Sequence, residues 1–261
     1  MNLPIYQIDA FASEVFQGNP AAVVPLSDWL PDPVLQNIAL ENNLSETAFF
    51  VRNEDGAYHL RWFTPVNEVD LCGHATLATA FVLFEHLNYQ QDVIRFDTRS
   101  GRLTVAKSAT GFQMDFPSDN PNTVPAGEFE AMIGCPILGA YKGVSDMLIE
   151  VENQQIVQNV QPDFRAMTAF PVRGFIVTAR GEQTDIVSRC FYPAYGVDED
   201  PVTGSAHTTL FSFWGPKLDK TEMTAQQLSA RGGMLRGKIQ KDRILLEGNA
   251  VLYLRGEIRT R

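Results

Sequence analysis

An internal duplication is the feature that most constrains how this chain can fold. Five residues of the first half recur in the second half, each 128 positions later. They are Arg61, Phe63, Pro65, Val69 and Asp70, which correspond to Arg189, Phe191, Pro193, Val197 and Asp198. In a chain of 261 residues, this repeat predicts two similar domains of roughly 120 to 140 residues, each able to bury a core. We expect domains at 1–117 and 118–261, with a proline- and asparagine-rich linker over 117–125.

The two copies differ by an insertion of three residues. Each copy runs into a glycine that opens a helix-like segment, Gly73 in the first copy and Gly204 in the second, and at this point the offset has grown to 131. The inserted run lies just before Gly204 and adds a carboxylate, Asp200. Clefts between duplicated domains are common places for small-molecule sites. We therefore expect the chemistry to lie between the halves, where the two copies differ.

Composition excludes several classes of protein. The chain is 44% apolar and 20% charged, which is ordinary for a globular protein, and its apolar runs are shorter than the roughly 18 residues of a membrane span. Its start shows no secretory signal, so we expect a cytoplasmic protein that does not contact a membrane. The net charge of −10 disfavours nucleic acid as a partner, because phosphate binding needs basic clusters. It does not exclude a small acidic metabolite, which backbone dipoles can bind.

Cysteine and histidine spacing gives no sign of a metal or cofactor. Cys72, Cys135 and Cys190 are far apart and odd in number, which is typical of reduced thiols. The four histidines show no ligand spacing, and neither of the common nucleotide-binding glycine motifs is present. We therefore predict chemistry without a metal and without a cofactor.

The hydrophobic pattern predicts an α+β fold. Short β-rich segments separated by glycine, proline and asparagine fill most of each half. In the first half a helix is predicted over residues 31–42 and another, apolar almost all round, over 74–87. The second half offers a matching helix from 205 to about 214. Because a helix that is apolar on all sides has to be enclosed, we predict a curved β-sheet or barrel wrapped around one central helix in each half.

Glu46 is the first candidate for chemistry. It follows a predicted helix and an asparagine turn and enters an apolar strand. A carboxylate at such a strand edge can be partly desolvated, which raises its pKa toward the range useful for acid–base catalysis. The alternative is an ordinary solvated loop glutamate. In the duplication Glu46 corresponds to Gly174. This predicts that the first half supplies an acid and that the second half leaves the corresponding space open.

The two helix starts are the second candidate. Gly73 and His74 open one helix, and Gly204 and Ser205 open the other, so that unpaired N–H groups could bind a carboxylate or enolate oxygen. Alternatively, these glycines simply permit tight turns.

The sequence resembles the PhzF family of phenazine-biosynthesis-like isomerases over nearly its whole length. The motifs that carry the resemblance are Asp9-Ala10-Phe11, Gly18-Asn19-Pro20, Asn43-Leu44-Ser45-Glu46, Gly73-His74-Ala75-Thr76 and Asp200-Pro201-Val202-Thr203-Gly204-Ser205. The resemblance implies the diaminopimelate epimerase-like fold, with two pseudo-symmetric halves, no cofactor and commonly a homodimer. It also implies that Glu46 is the catalytic acid/base, that His74 and Asp200 assist it, and that Gly73, Gly204 and Ser205 bind substrate oxygens.

One departure from the wider superfamily concerns the thiols. Its racemases use two cysteines, each just before a glycine at a helix start. Here Cys72 precedes Gly73, but Thr203 precedes Gly204. A threonine hydroxyl is far too weak an acid to replace a thiol. The sequence therefore favours a single carboxylate that moves a proton within one substrate, and Cys72 as a small buried residue.

The leading hypothesis is a cofactor-independent isomerase acting on a small acidic or aromatic-acid-like metabolite. Two alternatives remain open. One is a racemase or epimerase of an amino or hydroxy acid, and the other is a metabolite-binding or interaction protein without turnover, because a fold does not fix a function.

Overall fold

A computed structural model describes residues 1–260 and divides the chain into two compact units. The first unit is Met1–Asp115 together with the segment from Glu247 onward, and the second is Phe116–Leu246. The C-terminal segment therefore belongs to the first unit, whereas the predicted ranges placed it in the second domain. No helix of the described residues is long and apolar enough to cross a membrane.

The first unit begins with eight strands and two helices. They are β1 (Asn2–Ala10), β2 (Asn19–Leu26), α1 (Asp32–Asn42), β3 (Glu46–Arg52), β4 (Tyr58–Phe63), β5 (Glu68–Val69), α2 (Gly73–Phe81), β6 (Val93–Thr98), β7 (Gly101–Ser108) and β8 (Gly111–Pro117). A π-helical turn, Val82–His86, continues α2. The predicted helix over 74–87 is thus a helix followed by a π turn.

The second unit repeats this plan with four α-helices, two more than the first. Its elements are β9 (Asn122–Val124), α3 (Phe129–Ile133), β10 (Gly139–Lys142), β11 (Asp146–Glu150), α4 (Gln154–Asn159), α5 (Phe164–Ala169), β12 (Gly174–Arg180), β13 (Ile186–Tyr192), β14 (Val197–Asp200), α6 (Gly204–Leu218), β15 (Glu222–Gln227), β16 (Gly233–Gln240) and β17 (Arg243–Gly248). The last strand, β18 (Ala250–Arg259), pairs with β1 in the first unit.

Strand order is the same in both units. In the first unit the strands pair in the order β18-β1-β2-β3-β4-β6-β7-β8, with parallel pairs at β2/β3 and β4/β6. In the second they pair in the order β9-β10-β11-β12-β13-β15-β16, with parallel pairs at β11/β12 and β13/β15. Parallel neighbours need a crossover connection, and α2 and α6 lie within corresponding crossovers. The duplication seen in the sequence is therefore a duplication of strand order.

Two strands explain the differences from the predicted boundaries. β9 lies inside the predicted linker and pairs antiparallel with β10. β18 takes the corresponding place beside β1. The edge strand beside β10 is thus the first strand of the second repeat, whereas the edge strand beside β1 is the last strand of the chain. Short-range sequence patterns do not show this difference. The second half is also richer in helices than predicted, because α3, α4 and α5 pack with the apolar cluster around Phe175 and Phe191.

The two central helices are almost wholly enclosed. Residues 74–80 of α2 are all buried, and most of α6 from Ala206 to Gly215 is buried as well. α2 packs against β1, β2 and β3. These enclosed helices and the mixed parallel and antiparallel pairing of the strands confirm the α+β class, with one central helix in each unit.

The space opposite Gly174 is filled, which corrects the expectation that the second copy leaves room there. Gly174 is the first residue of β12, as Glu46 is of β3. A Cβ atom on Gly174 would lie 2.1 Å from Cδ1 of Tyr192 and 2.7 Å from the carbonyl oxygen of Phe191. The tyrosine ring occupies the volume that a side chain at this position would need.

We predict that Gly174→Ala destabilises the protein by about 1–3 kcal/mol, because the new methyl group overlaps a buried ring and a backbone atom that cannot move apart. Denaturant unfolding of the purified variant measures the effect. Gly256→Ala is the matched control, since Gly256 also lies in a strand and its Cβ would meet only Leu254 Cδ2 at 3.8 Å. Equal stability of the two variants would show that Tyr192 does not pack as described.

Candidate active site

Glu46 stands at the first position of β3 because the chain turns sharply after α1. Asn43 ends α1 in a left-handed conformation and donates its N–H to the carbonyl of Ala39. Asn42 then donates a side-chain hydrogen bond of 3.1 Å to Oγ1 of Thr47. In the sheet Glu46 pairs with Ala21 of β2. The side chain of Glu46 is 17% exposed, so the carboxylate is largely shielded from solvent.

The start of α2 brings two more polar side chains to this carboxylate. Cys72 is the extended residue before the helix, and its carbonyl accepts a 2.5 Å hydrogen bond from Oγ1 of Thr76. His74 follows Gly73 and is buried. This local bonding fixes the first turn of α2, and with it the direction of the His74 ring.

The site is built on a close contact between an imidazole and a carboxylate. Nε2 of His74 lies 3.0 Å from Oε2 of Glu46. Sγ of Cys72 lies 3.6 Å from Nδ1 and 4.0 Å from Nε2 of the same ring. Oε2 is fully buried, and no N–H of the described residues is aligned with it well enough to form a hydrogen bond. The pair is therefore held by charge and proximity rather than by a well-directed hydrogen bond.

Burial and charge set the protonation state of this cluster. Burial and the neighbouring Glu46 carboxylate raise the pKa of the Cys72 thiol to about 11, so the thiol is protonated at neutral pH. Burial alone would lower the pKa of His74, but Cys72 and Glu46 beside the ring raise it well above its ordinary value. Cys72 is thus a thiol at neutral pH, and the Glu46 carboxylate beside the ring favours the protonated form of His74.

A cluster of this kind can move a proton. The imidazolium can stabilise negative charge, and a shielded carboxylate can accept a proton from carbon and return it. The ligand atoms of Glu46, Cys72 and His74 also lie within 4.8 Å of one another, as groups that hold a metal ion do. This grouping could not be predicted from spacing, because Glu46 is far from the other two residues along the chain.

In the second unit, Asp200 is fixed at the end of the insertion. Oγ1 of Thr203 donates a short hydrogen bond to Oδ2 of Asp200. The buried side chain of Gln227 donates to the Asp200 carbonyl at 2.7 Å and accepts from the Thr203 N–H at 2.9 Å. The sequence interpretation missed Gln227, which is 24 residues from Thr203 and is brought to it by β15. The three added residues therefore form a tethered turn.

Arg173 is a second residue that the sequence interpretation missed. Its Nε donates to Oδ1 of Asp146 at 2.8 Å, and its Nη2 donates to the same carboxylate and, at 3.0 Å, to Oγ of Ser205. The guanidinium also stacks on Tyr192. Asp146 is 2% exposed but Arg173 is 34% exposed, so the arginine reaches from a buried anchor toward solvent beside the start of α6.

The two units carry different chemistry at corresponding places. In the duplication Glu46 corresponds to Gly174 and His74 to Ser205. The first unit thus places a carboxylate beside the start of its central helix, and the second places Arg173 there. The structure brings Glu46, Gly73 and His74 into one cluster and Asp200, Gly204 and Ser205 into one segment of the second unit.

Comparison with known proteins identifies the class. A match to the phenazine biosynthesis-like protein family spans residues 8–256. A Pseudomonas aeruginosa protein described as an uncharacterized isomerase is 49% identical over 260 residues, covering 99% of both chains. A crystal structure of a PhzF-family phenazine biosynthesis protein from Enterococcus faecalis superposes with a TM-score of 0.97 at 46% identity, covering 100% of both chains. A hydroxyproline epimerase from Agrobacterium vitis shares the fold, with a TM-score of 0.62 at 8% identity, covering 98% of this chain and 92% of the other.

The fold and these similarities define an isomerase with the epimerase-like fold. The chain belongs to the phenazine biosynthesis-like, or PhzF, family, as its sequence motifs predicted.

His207 gives the second unit a stability that depends on pH. Its ring is fully buried, and Nδ1 donates to the carbonyl of Thr203 at 2.7 Å, while Nε2 has no partner among the described residues. Burial lowers the pKa of His207 from 6.5 to about 4. The unfolded chain therefore binds more protons than the folded chain between these pH values, and stability falls as the pH falls.

We predict that His207 accounts for a loss on the order of 3 kcal/mol in unfolding free energy from pH 6.5 to pH 4. In His207→Gln the unfolding free energy should depend less steeply on pH over this window, by a slope equivalent to up to one bound proton. This holds whatever the stability of the variant at neutral pH. Denaturant unfolding at a series of pH values measures it. His59→Gln, at a partly buried position, should change the slope less; an unchanged slope in His207→Gln would contradict the buried neutral ring.

Proposed function

We propose that the protein is a cofactor-independent isomerase that moves a proton on a small carboxylate-bearing metabolite, with Glu46 as the acid/base. The observation that carries this proposal is the 3.0 Å approach of Nε2 of His74 to Oε2 of Glu46. Because Oε2 is buried against the imidazolium, we assign the proton transfer to Oε1. The side chain keeps enough exposure for a substrate to reach it.

The proposed reaction has two steps. In the first, Oε1 of Glu46 takes a proton from a substrate carbon that lies between a carbonyl or carboxyl group and a carbon–carbon double bond, and the electron pair of the broken C–H bond spreads into both. In the second, the same carboxyl returns the proton to another carbon of the conjugated intermediate, which shifts a double bond. The N–H groups at Gly73 and His74, with the imidazolium of His74, stabilise the negative charge between the steps.

The second unit supports an anionic substrate. We propose that Ser205 and the N–H groups at Gly204 bind substrate oxygens and that Asp200 assists in proton transfer. Arg173 strengthens this proposal because its Nη1 has no bond to any described residue while Nε and Nη2 are anchored. An anchored guanidinium with a free N–H edge is suited to a carboxylate. The homodimer, the cytoplasmic location and an acidic or aromatic-acid-like metabolite as the substrate stay predictions of the sequence.

The racemase alternative needs a second acid on the opposite face. Cys72 and Asp200 are the groups that could supply it, but the pKa of Cys72 is raised to about 11 by burial and Glu46, and Asp200 already accepts a hydrogen bond from Thr203. Reaction stereochemistry distinguishes the two: loss of optical rotation indicates an epimerase, and a shifted double bond, followed by ultraviolet absorbance, indicates the isomerase.

We predict that Glu46→Gln lowers catalysed proton exchange by at least about a hundredfold, because an amide cannot accept and return a proton. The measurement incubates the enzyme with a cell extract in heavy water and identifies by mass spectrometry the metabolite that gains deuterium. The variant should remain folded and should bind ligand about as tightly as the parent.

Glu41→Gln is the matched control, since Glu41 is an exposed glutamate of α1 and should keep full exchange. Cys72→Ala should also exchange within about tenfold of the parent. If Glu46→Gln stays active and Cys72→Ala does not, the thiol is the base and the proposal is wrong. If the parent binds acids from the extract but labels none of them, a binding protein is the better account.

A further inference from the structure

The cluster at the start of α2 contains one side chain of each kind that binds zinc. Glu46 offers a carboxylate oxygen, Cys72 a sulfur and His74 a ring nitrogen, and these atoms all lie within 4.8 Å of one another. Catalytic zinc sites commonly have three protein ligands and one open position. Isomerisation by Glu46 and His74 does not use the thiol of Cys72, which leaves its presence in the cluster unexplained.

The distances are close to those of a tetrahedral zinc ion. With Zn–N and Zn–O bonds of about 2.0–2.1 Å and a Zn–S bond of about 2.3 Å, tetrahedral angles separate nitrogen from oxygen by about 3.4 Å and nitrogen from sulfur by about 3.6 Å. In the structure Nε2 of His74 lies 3.0 Å from Oε2 of Glu46 and 4.0 Å from Sγ of Cys72. The third pair, the Glu46 oxygen and Sγ of Cys72, lies within 4.8 Å, against about 3.6 Å for tetrahedral bonds to one zinc ion. A rotation of the Cys72 side chain toward the carboxylate, with a turn of the ring, would form the three bonds.

The charges of the ligands match those of a divalent cation. A thiolate and a carboxylate together carry two negative charges, and a neutral imidazole carries none, so the complex has no net charge. A neutral complex is the form that a buried site tolerates best. The buried Oε2 of Glu46, to which no described N–H is properly directed, would gain a partner.

We propose that Glu46, Cys72 and His74 form a binding site for a borderline divalent cation, Zn²⁺ or Co²⁺, and that the bound cation inhibits the isomerase. On binding, the thiol of Cys72 and the imidazolium of His74 each release one proton to solvent, and the three ligand bonds to the metal form. The inhibition rests on the function proposed above, because the metal occupies the carboxylate that would accept the substrate proton. The metal site itself does not depend on it.

Cobalt titration of the metal-free protein tests the site without any assay of turnover. Thiolate bound to Co²⁺ gives a near-ultraviolet charge-transfer band, and tetrahedral Co²⁺ gives intense visible bands. We expect one equivalent of Co²⁺ to produce both in the parent protein and in Cys135→Ser, the matched control at a cysteine outside the cluster. Cys72→Ser should lose the charge-transfer band, and Glu46→Gln should weaken binding by at least about tenfold.

Absence of the band in the parent, its persistence in Cys72→Ser, or its loss in Cys135→Ser would overturn the site. Circular dichroism of each variant confirms that it is folded, and Glu46→Gln tests the site independently if Cys72→Ser is unstable.

Inhibition is measured with Zn²⁺ in the deuterium-exchange assay. Exchange by the parent should fall to background at saturating Zn²⁺, and Cys72→Ser should need at least about tenfold more zinc relative to its own metal-free rate. Undiminished exchange by the zinc-bound parent would overturn the inhibition. A cobalt band without any exchange activity would instead contradict the isomerase proposal and leave the metal site standing.

Discussion

The 3.0 Å contact between His74 and Glu46 is the interaction on which the first unit's chemistry depends. It joins the first residue of β3 to the first turn of α2, two elements that are separated in the chain by β4 and β5. An isolated carboxylate in this largely shielded position would pay a desolvation cost, and so would an isolated imidazolium. Each offsets the cost of the other, which lets the protein keep a carboxylate and an imidazole together in this position.

The second unit shows what the same framework does with different side chains. Strand order and central helix are repeated, but Gly174 stands where the first unit has Glu46, and Tyr192 fills the space beside it. A carboxylate is present on the neighbouring strand instead, as Asp146, which pairs with Gly174 as Ala21 pairs with Glu46. Asp146 is used to anchor Arg173. The two units are therefore similar scaffolds that carry different charged groups, a carboxylate in one and a guanidinium in the other.

The sequence predicted the parts of this account that depend on short-range pattern. The repeat predicted equivalent units, and the all-round apolar helix after Gly73 predicted a helix enclosed by strands. The motif around Glu46 and the Gly73-His74 pair supplied the residues of the first cluster, through family resemblance. Their distance and the protonation of His74 could not be predicted, because they depend on how β3 lies against α2.

The parts that were missed depend on pairing between distant residues. The antiparallel pairing of β18 with β1 and the strand β9 within the expected linker depend on partners far away in the chain. The residues next to Arg173 and Gln227 in the sequence form no recognisable motif. Only the folded sheets bring Arg173 to Ser205 and Gln227 to Thr203. Gly174 was correctly matched to Glu46 but wrongly taken as open space, since the ring that fills it comes from the next strand.

Nuclear magnetic resonance of the His74 ring tests the central claim most directly. Nitrogen chemical shifts of the imidazole, followed against pH, report whether one or both ring nitrogens carry a proton. The account predicts a doubly protonated ring in the parent at neutral pH and a markedly lower pKa of His74 in Glu46→Gln, because the substitution removes the charge beside Nε2. A neutral ring at pH 7 in the parent, or an unchanged titration in Glu46→Gln, would contradict it.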